Sequence, residues 1–111
     1  MNMDRKELGK YGEEQAVNLL RAKGYRILDT NWKCRAGELD IVAQKGYIIT
    51  FAEVKTRRTL EFGTPSEAIT AKKKTHIRNT AAFYMKSHNI NDINVRFDVI
   101  EIYVNHIERA F

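Results

Sequence analysis

The run YIITF, residues 47–51, is apolar at nearly every position, and side chains on a strand alternate between its two faces. A strand written this way has to be covered on both sides, so the chain needs layers above and below it. Two helical segments can supply them. From about Asp4 to Lys23, Leu8, Tyr11, Ala16, Leu19 and Leu20 recur at three-and-four spacing, and Gly24 is a stop signal. A second stripe, Ile77, Ala81, Tyr84 and Met85, belongs to a helix that begins near Ser66 or Thr70 and ends at Ser87.

Strand patterns fill the rest. They are YRILDTNW (25–32), ELDIVAQ (38–44), YIITFAEVKT (47–56) and VRFDVIEIYV (95–104), with HIERAF as an optional short last strand. KCRAG, 33–37, reads as a turn or loop, and Lys45 and Gly46 read as the turn of a tight hairpin. The predicted order is α-β-β-β-α-β(-β), an α/β fold with a central mixed β-sheet flanked by helices. Its third and fourth strands are joined by a helical crossover and are expected to run parallel. At 111 residues with no repeat or linker, one domain covering 1–111 is the natural expectation.

Nineteen Lys and Arg against fourteen Asp and Glu give a formal net charge of +5, which suits a polyanionic partner and equally serves solubility. Cys34 is the one cysteine, which excludes a disulfide within the chain and fits a reducing compartment. The N-terminal residues are polar where a secretory signal needs an apolar run, and no segment approaches a membrane span. The expectation is a cytoplasmic protein with no membrane partner.

Charges inside the apolar hairpin stand out. Glu38, Asp40, Glu53 and Lys55 interrupt or border its strands, and a charge removed from water is costly unless paired or holding a metal. Glu53 and Lys55, two apart, share a face. With Lys45 and Gly46 as the turn, Asp40 would pair with Phe51 and Glu38 with Glu53. Asp40 and Glu53 would then be diagonal neighbours about 7 to 8 Å apart, within reach of one cation. Glu13 adds a further acid. It lies at i with Ala16, Val17 and Leu20 at i+3, i+4 and i+7, on an inward stripe of the first helix. The alternatives are a solvated sheet edge for the hairpin charges and a rim position for Glu13.

Two carboxylates with waters and a phosphate are the usual way of holding Mg²⁺ or Mn²⁺, whereas the scattered His and single Cys do not suit Zn²⁺. Asp40 and Glu53 are the candidate metal ligands, and Lys55 is placed to orient an attacking water and neutralise developing charge. Arg57 and Arg58 follow Lys55, and Lys72, Lys73 and Lys74 fall near the start of the second helix. These five are the candidate nucleic-acid-binding residues, because free backbone N–H groups and lysines at a helix start attract phosphate. A solvated basic face is the bland reading. Zinc-finger, helix-turn-helix and aromatic-ladder signals are absent.

GEEQA (12–16), GYRIL (24–28), NWKCRAGELDIVA (31–43), FAEVKTR (51–57), GTPSEAIT (63–70) and RFDVIEI (96–102) together resemble the YraN-like family of small bacterial proteins. The resemblance runs in order over nearly the whole chain. It implies a restriction-endonuclease-like fold within the PD-(D/E)xK nuclease superfamily, which also holds archaeal Holliday junction resolvases. In that pattern Asp40 is the first acid, Glu53 and Lys55 are the second acid and lysine, and Glu13 is the helical acid that adds to the catalytic and metal-binding set. Lys73 takes a position where related nucleases often carry a polar residue on the phosphate side. Leu39 stands where the pattern usually has Pro, with Glu38 before it.

The implied activity is Mg²⁺- or Mn²⁺-dependent hydrolysis of nucleic acid, DNA rather than RNA, including branched forms. A symmetric homodimer would suit cutting both strands of a junction. Two other classes stay open: a nucleic-acid-binding module without turnover, and a small protein-interaction adaptor.

Overall fold

A computed structural model of the chain describes residues 3–58 and 69–111. Helix α1 spans Arg5–Ala22, and strands β1, β2 and β3 follow at Arg26–Cys34, Gly37–Lys45 and Ile48–Arg57. Helix α2, Ala71–Ser87, and strand β4, Asn94–Tyr103, complete the order α-β-β-β-α-β. The strands form one sheet in the order β1-β2-β3-β4, antiparallel except for the β3/β4 pair, which is parallel. The mixed α/β architecture is the one predicted.

Both helices start on capping side chains. Asp4 accepts the Glu7 N–H at 2.8 Å, and Thr70 accepts the Lys73 N–H at 3.1 Å, each satisfying a donor that has no partner within its helix. The apolar faces then choose sides of the sheet. Ala16 and Leu20 of α1 bury against Ile41, Ala43 and Ala52, while Ile77, Ala81 and Tyr84 of α2 bury against Leu39, Val42, Ile49 and Phe51. The central strand β3 is thus covered on both faces, as its composition requires.

Four local expectations are corrected. The hairpin turn is Gly46 and Tyr47, not Lys45 and Gly46: Lys45 pairs with Ile48 and Val42 with Phe51, so the register lies two residues from the expected one. Gly46 takes a φ of 58° at the first turn position, which costs glycine nothing, and this lets Lys45 remain in the strand. KCRAG is mostly strand, because Cys34 pairs with Gly37 and only Arg35 and Ala36 turn. Residues 104–111 form no strand. The alternation of β2 also breaks: Leu39 and Val42, three apart, bury on the α2 side while Ile41 and Ala43 bury on the α1 side. The slip falls between Leu39 and Ile41, and Asp40 still lines one cleft with Glu53 on the α2 side. Ser66, the other proposed start of the second helix, lies outside the described residues, as does most of GTPSEAIT.

Candidate active site

The site grows from a fork in the sheet. β2 and β3 are paired from their turn only as far as Ile41 and Ala52. Beyond that point β2 continues beside β1 to Gly37, and β3 continues beside β4 to Arg57. Where a ladder stops, buried main-chain N–H groups need other partners. Asp40 Oδ2 accepts the Val54 N–H at 2.8 Å, and Glu53 Oε2 lies 3.5 Å from the Asp40 N–H. The two carboxylates close the fork and stand next to each other. The two-residue change in register brings them nearer than the diagonal placement expected, since an even shift leaves the strand face unchanged.

Glu53 is 6% exposed. Burial, with the charge of Asp40 added, pushes its carboxyl up to about 7, against the opposing pull of the Asp40 N–H, Lys73 and Lys55. Lys73 reaches in from the first turn of α2, its Nζ 3.8 Å from Glu53 Oε1. Lys55 lies beside both. Burial, and next the adjacent Lys73 ammonium, lower the Lys55 pKa from its ordinary value, while Glu53 and Asp40 oppose that shift. Two acids and two lysines therefore meet where β2, β3 and α2 converge.

Glu13 approaches from the α1 side. A Cβ on Gly12 would lie 1.7 Å from Thr56 Oγ1, so only glycine lets α1 come this close to β3. Asn31 Nδ2 donates to Glu13 Oε2 at 3.0 Å. Partial burial raises the Glu13 pKa, the Asn31 hydrogen bond offsets it, and the charges of Asp40 and Glu38 add to it. Glu13 is thus within electrostatic reach of Asp40, on the flank of the fork away from Lys73.

Among the described residues no set of three or more His, Cys, Asp and Glu side chains is gathered as a metal centre. Asp40 and Glu53 are a hard oxygen donor pair. They fit an ion such as Mg²⁺ or Mn²⁺ that keeps several waters, and they do not fit Zn²⁺. A cleft of about 290 Å³ opens over them, walled also by Glu38, Lys73, His76 and Thr80.

The remaining basic residues divide. Lys73 is in the site, whereas Lys74 lines a neighbouring cleft and Lys72 is exposed. Arg57 is held by Glu101 at 3.0 Å, and Arg58 donates to the Met3 carbonyl. Two residues escaped the sequence reading as site members. His76 stands one turn from Lys73 on the same helix flank, which the i, i+3 rule makes visible. Asn31, at φ 52° in mid-strand, has a conformation that Asn tolerates better than most side chains, and an Asn amid strand-forming residues was the available signal.

Fold and site define a mixed α/β protein with a carboxylate and lysine cluster at a fork in its sheet. The profile of the family described as "Uncharacterised protein family UPF0102" matches residues 12–102. A UPF0102 protein of Caldicellulosiruptor saccharolyticus is 48% identical over 103 residues, covering 93% of this chain and 87% of that protein. Those of Alkaliphilus oremlandii and Clostridioides difficile are 48% and 43% identical, covering 96% and 98% of this chain and 98% and 100% of theirs. The chain belongs to the UPF0102 family. No helix among the described residues is long and apolar enough to cross a membrane.

Proposed function

We propose that this protein is a metal-dependent nuclease of the PD-(D/E)xK type that hydrolyses phosphodiester bonds, with DNA as the preferred nucleic acid. The observation that carries the reading is the meeting of Asp40 and Glu53 at the β2/β3 fork with Lys55 and Lys73 alongside. Asp40 and Glu53 would hold Mg²⁺ or Mn²⁺, and Glu13 would support the ion's water shell from the α1 side. When bound, such an ion polarises a phosphoryl oxygen and acidifies a water. Lys55 donates hydrogen bonds that orient the attacking water, and its charge offsets the charge that builds on the phosphoryl group. Lys73 sits between Glu53 and solvent in the first turn of α2, where it draws a phosphate toward the carboxylates.

The test is cleavage of a panel of single-stranded, duplex and branched DNA and RNA with Mg²⁺ or Mn²⁺. Cutting is expected to disappear in Asp40→Asn and Lys55→Ala. No cleavage across the panel, or undiminished cleavage by the variants, overturns the reading. One observation favours a binding module without turnover: Lys73 already pairs with the buried Glu53, a cation standing where an ion would bind. That reading predicts salt-dependent binding of nucleic acid weakened by neutralising Lys72, Lys73 and Lys74, with no change on adding Mn²⁺.

A further inference from the structure

Helix α2 presents two flanks to the sheet. Lys73, His76 and Thr80 face the carboxylate cleft, while Lys74 and Arg78, four apart, face a second cleft of about 240 Å³ between α2 and the edge strand β4. Glu53 lines both clefts, so the second opens directly beside the first. Its wall combines Phe51 and Phe97 with aliphatic Ile69, Ile77 and Val99, and the Asp98 carboxylate stands at its β4 side. Phe97 of β4 stacks on the buried Phe51 with ring centroids 5.7 Å apart and planes 27° apart, yet remains 42% exposed. The Arg78 guanidinium lies 5.8 Å from the Phe97 ring centroid.

We infer that this cleft is a stacking platform for one unpaired nucleobase next to the scissile phosphate, which makes the substrate a nucleic acid with a single-stranded or extruded nucleotide at the cutting point. The inference rests on the nuclease reading and narrows its substrate. An aromatic face flanked by a guanidinium is a sequence-tolerant support for an unpaired base, since every base has a π-face. Packing on Phe51 fixes the orientation of the Phe97 ring, whose exposed part an incoming base would share with the Arg78 guanidinium that stands over it. The volume is below that of ordinary drug-sized pockets and matches a single planar group. Lys74 and Arg78 on the rim complement the phosphates that flank such a base. A continuous duplex keeps its bases stacked inside and offers nothing to this surface.

Fluorescence anisotropy with the full chain in EDTA tests the platform without cleavage. The probes are a short fluorescein-labelled single-stranded DNA and the same strand annealed to its complement. The parent is expected to bind the single strand more tightly than the duplex. Phe97→Ala should weaken single-strand binding roughly five-fold or more, leave duplex binding unchanged, and be rescued by Phe97→Trp. Should Phe97→Ala fail to fold by circular dichroism, Arg78→Ala, an exposed residue, decides by the same selective loss.

Equal affinity for the two probes, no binding of either, or variants that bind the single strand like the parent would overturn the inference. So would concentration-dependent self-association abolished by Phe97→Ala, which would assign the cleft to a second copy of the chain. The two readings fail separately. Cleavage that needs Asp40 but is indifferent to Phe97 and Arg78 sinks the platform and keeps the nuclease. Selective loss of single-strand binding in a protein that never cuts supports the platform and removes turnover.

Discussion

The Asp40 carboxylate accepts the main-chain N–H of Val54 at 2.8 Å, across the point where the two central strands separate. Asp40 therefore has a structural duty apart from any ion it could hold. Asp40→Ala leaves the Val54 N–H without its acceptor and should lower unfolding stability by about 1–3 kcal/mol. Asp40→Asn keeps an acceptor oxygen and should stay close to the parent. Both variants should lose the rise in melting temperature that Mn²⁺ confers on the parent if Asp40 is a ligand. Urea denaturation with and without Mn²⁺ checks this, and equal destabilisation by Asn and Ala would refute the division of roles.

Glu53 gives the metal-free protein a pH dependence whose sign is fixed. Its carboxyl is raised from 4.5 to about 7, so across that interval the folded state holds a proton that the unfolded state has released. Stability from this group is complete below about pH 4.5 and is lost as pH rises through about 7. The size is at most about 3–3.5 kcal/mol, given the weight of one pKa unit. Glu53→Gln should flatten the curve between pH 5 and 8, as followed by thermal melts without divalent ions. Mn²⁺ should stabilise the parent more at pH 8 than at pH 6, because a ligating carboxylate must first lose its proton.

How far the sequence reaches is clearest at this same pair. The doubly apolar YIITF forces a covered central strand, and period-two spacing sets Glu53 and Lys55 on one face, so the layers, the element order and the strand carrying the site follow from pattern alone. Register does not. Whether Lys45 or Tyr47 joins Gly46 in the turn depends on which residue extends the ladder, a balance of a few hydrogen bonds. The slip of β2 at Asp40 is invisible for the same reason, since it reflects the packing of Leu39 on the α2 side rather than any residue's own preference. Arg57 read as a phosphate contact because its partner Glu101 comes from a strand over forty residues away. Long-range pairing of this kind leaves no local signal.

Gly12 governs how closely α1 approaches the sheet. Gly12→Ala places a Cβ 1.7 Å from Thr56 Oγ1, 2.8 Å from its Cβ and 2.9 Å from its Cγ2, so helix and strand must move apart. Overpacking of this kind should reduce stability by about 1–3 kcal/mol and carry Glu13 away from Asp40. Thr56→Ala in the same chain relieves the contacts to Oγ1 and Cγ2 but leaves the Cβ in place. It should recover part of the loss, whereas Thr56→Gly should recover more of it. A double-mutant cycle by chemical denaturation measures the coupling, and simple additivity of the two changes would show that Gly12 is not held by Thr56.

Tyr84 anchors the far half of α2, well away from the carboxylates. Its hydroxyl donates to Asp29 Oδ2 at 2.6 Å, its ring is 1% exposed, and Trp32 meets it edge-on while His88 stacks on it. Burial, and then the bond to Asp29, raise the Tyr84 pKa, so the phenol stays protonated as a donor through the neutral range. Tyr84→Phe keeps the ring contacts and removes a hydrogen bond to a charged acceptor, a loss of about 1.5–3 kcal/mol. His88 offers little compensation, since its Nε2 is 3.9 Å from the same carboxylate oxygen. The expected result is a lower denaturation midpoint with Mn²⁺-dependent stabilisation unchanged at equal folded fraction, because Lys73 lies about three turns away toward the opposite end of the helix. A Tyr84→Phe protein that keeps its stability but loses its response to Mn²⁺ would mean that the two ends of α2 are coupled and that Asp29 belongs to the site.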